Sequence, residues 1–168
     1  VRKEDLEAVF NDRRDGEDFI SGDYQSATDN IYLPAVEAII DVLCESPELS
    51  SRERSVLWES FHDLRWESSS GRRHQIKRGS MMGNLVSFPL LCLLNKASFD
   101  IACDVTFGRG SGRIGRFNGD DCAFCGDQRF FDAWRHWTSV FGLVVNEEKT
   151  GRSCRWIELN SSVYDTSQ

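Results

Sequence analysis

A chain of 168 residues with five Trp, eleven Phe and 40% hydrophobic residues can bury one sizeable core, so a single domain is expected. Its formal charge is −7, which argues against a uniformly basic surface, and its longest uncharged stretch, the interrupted segment 79–95, is too short and too polar to cross a membrane. The charge is uneven: residues 1–60 carry −9, residues 61–116 carry +5 and residues 117–168 carry −3.

In chain order, residues 1–18 are highly charged and read as an amphipathic helix with a loop. Phe19-Ile20 opens a short strand over 19–22. Apolar residues then recur at helical spacing over 30–43, with Asp29 and Asn30 available as caps and Pro34 tolerable near the start. A second helix is expected over 51–64, capped by Ser50 or Ser51, with Val56, Leu57, Phe61 and Leu64 on one face. Residues 68–71, Ser-Ser-Ser-Gly, turn a small hairpin. A glycine-containing loop runs into a long apolar helix over 85–103. An Asn118-Gly119 turn then folds a hairpin over 113–125. A helix over 128–141 buries Phe130, Phe131, Trp134, Trp137 and Phe141, and Gly142 ends it. Residues 143–145 read as an inner strand and 155–159 as the last. This order reduces to βαββαβ with one insertion, an α+β arrangement of the ferredoxin-like kind.

Chemistry concentrates at a few points. Asp120 and Asp121 are adjacent at the hairpin tip, where two carboxylates repel unless a positive charge intervenes. The residues alone leave open a solvated turn or a ligand set for a divalent cation. Asp23, at a strand-to-helix junction, is a third acid, and Asp29 reads either as a helix cap or as a ligand-facing group. Gly79 and Gly83 allow backbone to approach a ligand, and the helix that follows presents N–H groups suited to phosphate. Ser87 and Asn95 are the polar residues on that oily segment. Arg72, Arg73, Lys77 and Arg78 form a basic cluster that suits phosphate or a solvated hairpin equally. Cys122-x-x-Cys125 has zinc-like spacing, but alternate strand residues face opposite ways and no matching Cys/His pair exists. Small buried thiols, without disulfides, are the expectation for all six cysteines.

The order of these parts resembles viral RNA-dependent RNA polymerases. Asp23-x5-Asp29 is similar to their motif A, the Gly/Ser loop and helix to motif B, Gly119-Asp120-Asp121 to motif C, and Asn146-Glu147-Glu148-Lys149-Thr150 to motif D. The wording Met82-Gly83-Asn84, Ser87-Phe88-Pro89 and Leu93-Leu94-Asn95 most resembles the ourmia-like (Botourmiaviridae) and narna-like viruses, and more distantly the RNA phage replicases. The likeness spans about residues 19–160. It implies a polymerase palm over 19–44 and 81–160 with a fingers-like insertion over 45–80. It also implies RNA-templated RNA synthesis by a two-metal mechanism, with two Mg2+ ions or Mn2+ as substitute.

By the same resemblance Asp23 and Asp120 are the main metal ligands, helped by the Tyr24 carbonyl and by Asp121. Asp29 reads the ribose 2′-hydroxyl with Ser87 and Asn95, and Lys149 protonates the departing pyrophosphate. The basic cluster Arg72, Arg73, Lys77 and Arg78 meets RNA. Partners are an RNA template and nascent strand, nucleoside triphosphates, and fingers and thumb of the same polypeptide, the chain beginning with Val and reading as a piece of a longer polymerase. Localisation follows as host cytoplasm. The chain departs from animal-virus and flavivirus relatives in one place: the position four after Ser87, an Asn there, is Leu91 here. Two alternatives stand beside this reading. One is a reverse-transcriptase palm, against which Gly119 and Asp29 speak, and the other is a non-catalytic metal-binding or decayed viral-derived domain.

Overall fold

The computed structural model describes residues 2–80 and 84–167; Met81, Met82 and Gly83 lie outside them, and the expectation for Gly83 with them. The elements are α1 (Lys3–Asp12), β1 (Asp18–Gly22), α2 (Ala27–Asn30), α3 (Leu33–Cys44), α4 (Ser51–Glu59), β2 (Arg65–Glu67) and β3 (Arg73–Gln75), then α5 (Ser87–Phe107), β4 (Gly115–Asn118), β5 (Asp121–Gly126), α6 (Gln128–Val140), β6 (Gly151–Ser153), β7 (Trp156–Leu159) and β8 (Ser162–Asp165).

The main sheet has the order β4-β5-β1-β6 and is antiparallel throughout. With helices between β1 and β4 and between β5 and β6, this is the expected ferredoxin-like plan. Both faces of the sheet are covered, so its central strands carry near-continuous apolar runs. Ile20, Cys122 and Phe124 pack against α3, α5 and α6, where Phe99, Phe124, Phe130 and Trp134 meet ring to ring at 5.0–5.6 Å. On the other face Phe19, Ala123 and Cys125 pack against Leu6 and Val9 of α1 and Ile157 and Leu159 of β7. The Arg113 guanidinium, 1% exposed, pins α1 to this layer through Glu17 at 2.7 Å, Asp12 at 3.3 Å and the Cys125 carbonyl at 2.9 Å.

Several boundaries differ from the sequence reading. The helix expected over 30–43 begins at Leu33 as α3, and Asn30 ends the separate α2, because one continuous helix would drive the Pro34 ring into the Asn30 carbonyl. Tyr32 is therefore the N-cap of α3, and Asn30 gives its amide to the Gln25 carbonyl instead of capping. Helix α4 stops at Glu59, short of residue 64. Ser50 does cap it, exchanging hydrogen bonds with Glu53, but Asp63 adopts φ +53 and Phe61 turns into the core while Val56 stays exposed. Helix α5 runs a turn beyond expectation to Phe107, where Gly108 with φ +88 ends it.

The tip of β4–β5 is also different in detail. Asn118 remains in the strand, paired with Asp121, and the two-residue loop is Gly119-Asp120, only Gly119 having positive φ, at +70. Residues 143–145 form a single bridge, Tyr24 to Val145, and not a strand; the fourth strand is β6. The last strand has an unforeseen partner, β8, across a turn in which Asn160 and Ser161 both have positive φ. The six cysteines are free. Cys122 and Cys125 lie on opposite faces of β5, and burial pushes both thiols up to about 12, so they serve the core and not a shared zinc.

Candidate active site

The acid end of the sheet is built by strand register. Gly22 of β1 lies opposite Cys122 of β5, so the next step of the same antiparallel pairing brings Asp23 alongside Asp121. On the far side of β1 the register slips. Ser21 pairs with Gly151 but Tyr24 bridges to Val145, leaving residues 146–150 opposite Gly22 and Asp23 alone. Those extra residues turn over the acid end, held by Asn146 N–H donating to the Asp23 carbonyl at 2.9 Å and Thr150 N–H donating to the Asn146 carbonyl at 2.8 Å. The bulge carries Lys149 into the site.

Two clefts open here and share Asp23 and Lys149. The first, of about 290 Å³, adds Asp121, Glu158 and the Asn160-Ser161 turn. The second, of about 440 Å³, adds Asp120, Gly119, Ser87, Thr28 and Phe88. The acids line these clefts without closing into a cage: among the described residues, no three His, Cys, Asp or Glu side chains are grouped to hold a cation.

Two features bear on whether a cation fits the acid end. Asp23 Oδ1 is buried with no hydrogen-bond partner. The Asp121 carboxyl is raised above its usual range, first by burial and then by the charges of Asp120, Asp23 and Glu158, against one backbone hydrogen bond from Asn160 that lowers it. A hard divalent cation, which takes carboxylate oxygens, would answer both.

Glu158 escaped the sequence reading. It reaches the site because the β7–β8 hairpin folds back on β1, its backbone N–H donating to Ser21 Oγ at 2.7 Å. Its alternation with buried Ile157 and Leu159 marks it only as outward-facing in β7.

The other expected site residues divide. Ser87, buried at the start of α5, lines the Asp23 cleft. Asp29 does not: it is exposed and lines a separate cleft of about 810 Å³ with Trp66, Gln75, Lys77, Arg78, Gly79 and Ser80. Gly79 has φ +82, and a Cβ there would come within 3.0 Å of the Thr28 carbonyl; its N–H is spent on the Ile31 carbonyl at 2.9 Å, so it packs on α2 and its N–H is not available to phosphate. Tyr24 and Asn95 are buried with their side chains hydrogen-bonded to each other at 2.6 Å. Of the basic cluster, Arg73 pairs with Glu67 at 3.0 Å, and Arg78 bonds Tyr32 Oη at 2.8 Å while lying over its ring. Arg72 and Lys77 are exposed.

No family model matches the chain. It is 30% identical to the RNA-dependent RNA polymerase of Ourmia melon virus (isolate Melon/Iran/VE9), an alignment covering 89% of this chain and 19% of that relative's length. Its fold is similar to the crystal structure of the insertion loop deletion mutant of the RNA-dependent RNA polymerase of a human picorbirnavirus. That match has a TM-score of 0.73 and 13% identity, over 94% of this chain and 31% of that one. Motif order and sequence likeness thus point the same way, toward the viral RNA-dependent RNA polymerases, and the chain spans about a fifth of the length of the curated relative it matches.

Proposed function

We propose that this chain supplies the catalytic centre for RNA-templated RNA synthesis in viral genome replication, acting in the host cytoplasm as the catalytic part of a longer polymerase. The observation that carries the reading is the convergence of Asp23 with Asp121 across β1 and β5, with Asp120 at the adjoining tip, in a chain that aligns with a viral polymerase over 89% of its length. The partnerless Asp23 oxygen and the raised Asp121 carboxyl support a divalent-cation site held by Asp23, Asp120 and Asp121. Magnesium, when bound, stabilises charge developing on the attacking and leaving oxygens of nucleotidyl transfer. Around that site the chain's own groups divide the work. Lys149, which lines both clefts, would give a proton to leaving pyrophosphate, and the exposed cations Arg72 and Lys77 would meet RNA phosphate.

The test uses the complete polymerase that carries this chain, an RNA template, and ribo- or deoxynucleoside triphosphates. Ribonucleotide incorporation that needs Mg2+ or Mn2+ and vanishes in Asp120→Asn is expected. Lys149→Leu should slow incorporation by about 10²–10⁴-fold while sparing RNA binding. Equal use of deoxynucleotides would favour reverse transcription, and an undiminished Asp120→Asn variant would remove the catalytic reading.

A further inference from the structure

Gly119, at the tip of β4–β5, has both its backbone polar groups held by α5. Its N–H donates to Cys92 Sγ at 3.0 Å, and its carbonyl accepts from Asn95 Nδ2 at 3.3 Å. Cys92 and Asn95 are three residues apart on α5 and so project from one face of the helix. Asn95 is 0% exposed, in a segment otherwise rich in Leu. Its other atom, Oδ1, accepts from Tyr24 Oη at 2.6 Å.

The consequence lies in chain position. Tyr24 directly follows Asp23, and Gly119 directly precedes Asp120. One buried amide therefore bridges the two segments that carry the site acids, and it does so where the sheet pairing has ended: β1 stops at Gly22, and Gly119 and Asp120 lie in the loop between β4 and β5. Strand register sets Asp23 beside Asp121, but no ladder bond joins β1 to the Gly119-Asp120 loop. The Tyr24–Asn95–Gly119 chain of hydrogen bonds makes that link, with Cys92 fixing the turn peptide from its other side. Side-chain networks of this kind act as units, because removing one member leaves its buried partners unpaired.

We propose that Asn95 is a positioning residue: a clamp, not a sugar contact, that couples the Asp23 segment to the Gly119-Asp120 tip and so sets the spacing of the acids. Its effect on synthesis rests on the function proposed above; the clamp does not. Asn95 is 0% exposed, with Oδ1 and Nδ2 both engaged inside the core, so a nucleotide does not reach it.

The test is hydrogen–deuterium exchange on the complete polymerase, comparing the parent with Asn95→Ala, Asn95→Asp and Tyr24→Phe, the last removing one hydroxyl and serving if Asn95→Ala fails to fold. Faster exchange over 118–121, with protection of β1 and α6 unchanged, is expected in Asn95→Ala and Tyr24→Phe. Asn95→Asp keeps the acceptor for Tyr24 but loses the donor to Gly119, so it should loosen the tip as Asn95→Ala does. In turnover, kcat should fall about 10–100-fold with nucleotide KM unchanged, the range for groups that orient ligand residues. The double variant Tyr24→Phe/Asn95→Ala should be no worse than Asn95→Ala, as members of one unit are not additive. Unchanged exchange at 118–121, or protection lost evenly across the sheet and helices, would overturn the clamp. A loosened tip in an enzyme whose Asp120→Asn variant is as active as the parent would leave the clamp standing and remove the catalytic reading instead.

Discussion

The molecule contains two hairpins of similar plan and opposite condition. In β4–β5 every residue of β5 after Asp121 is buried, the strand is paired on both edges, and the tip is held by α5. In β2–β3 no residue is buried. That hairpin is held by a Ser68–Gly71 turn, the Glu67–Arg73 pair and Trp66 stacked on His74 with ring centroids 5.0 Å apart. Local turn chemistry suffices to form either one. Burial is what makes one of them a rigid platform for charged groups that repel each other, and the acids sit on that one.

The comparison breaks first at Phe124, 0% exposed among Phe99, Phe130 and Trp134. Phe124→Ala should cost about 3–5 kcal/mol in denaturant unfolding. Trp66→Ala in the other hairpin should cost no more than about 1 kcal/mol, the worth of a cross-strand pair. Equal losses would mean that the hairpins are not different in kind.

Gly22→Ala sharpens the point at the strand that ends in the site. The new Cβ would lie 2.5 Å from Cys122 Sγ and 2.7 Å from Trp134 Cη2. Overpacking of this kind costs about 1–3 kcal/mol, read from the same unfolding curves.

A smaller effect, of opposite sign, is expected at Asp121. Its carboxyl is raised above the usual 3.8 when folded, so the folded protein holds that proton more tightly than the unfolded chain. The associated stability is complete below the usual value and is lost as pH rises through the raised one. With divalent cations chelated, Asp121→Asn should therefore melt above the parent at neutral pH, the gap closing as pH is lowered toward about 4. A gap that widens in acid would contradict the origin assigned to the shift. The smallest change is Arg73→Ala: its pair with Glu67 is solvent-exposed, so it should cost about 0.2–1 kcal/mol and less in high salt.

Much of the fold was legible because its signals are local. Apolar spacing marks α3, α5 and α6, the Ser50-to-Glu53 box marks the start of α4, and the Gly119 turn marks the β4–β5 tip. The errors fell where a distant contact outweighs local preference. Residues 143–145 look like a strand but make one bridge, to Tyr24 just past the end of β1, and β6 takes the place beside β1. Asp29 and Ser87, read as serving one sugar, line separate clefts: the break at Ile31-Tyr32 leaves Asp29 on a four-residue helix beside Lys77 and Arg78, while Ser87 opens α5 beside Asp23.

The order of acids, lysine and glycines, and a likeness to viral polymerases, can be read along the chain because both depend on residue identity and spacing. Which of those residues share a cleft is set by the packing of distant segments. Glu158 joins Asp121 through a hairpin folded from 37 residues away, and Asn95 lies equally hidden in a leucine-rich helix until its amide is found between Tyr24 and Gly119. The physical reason is that a polar group's role is set by the partners burial leaves it, and those partners come from strand register and helix packing that no local pattern encodes.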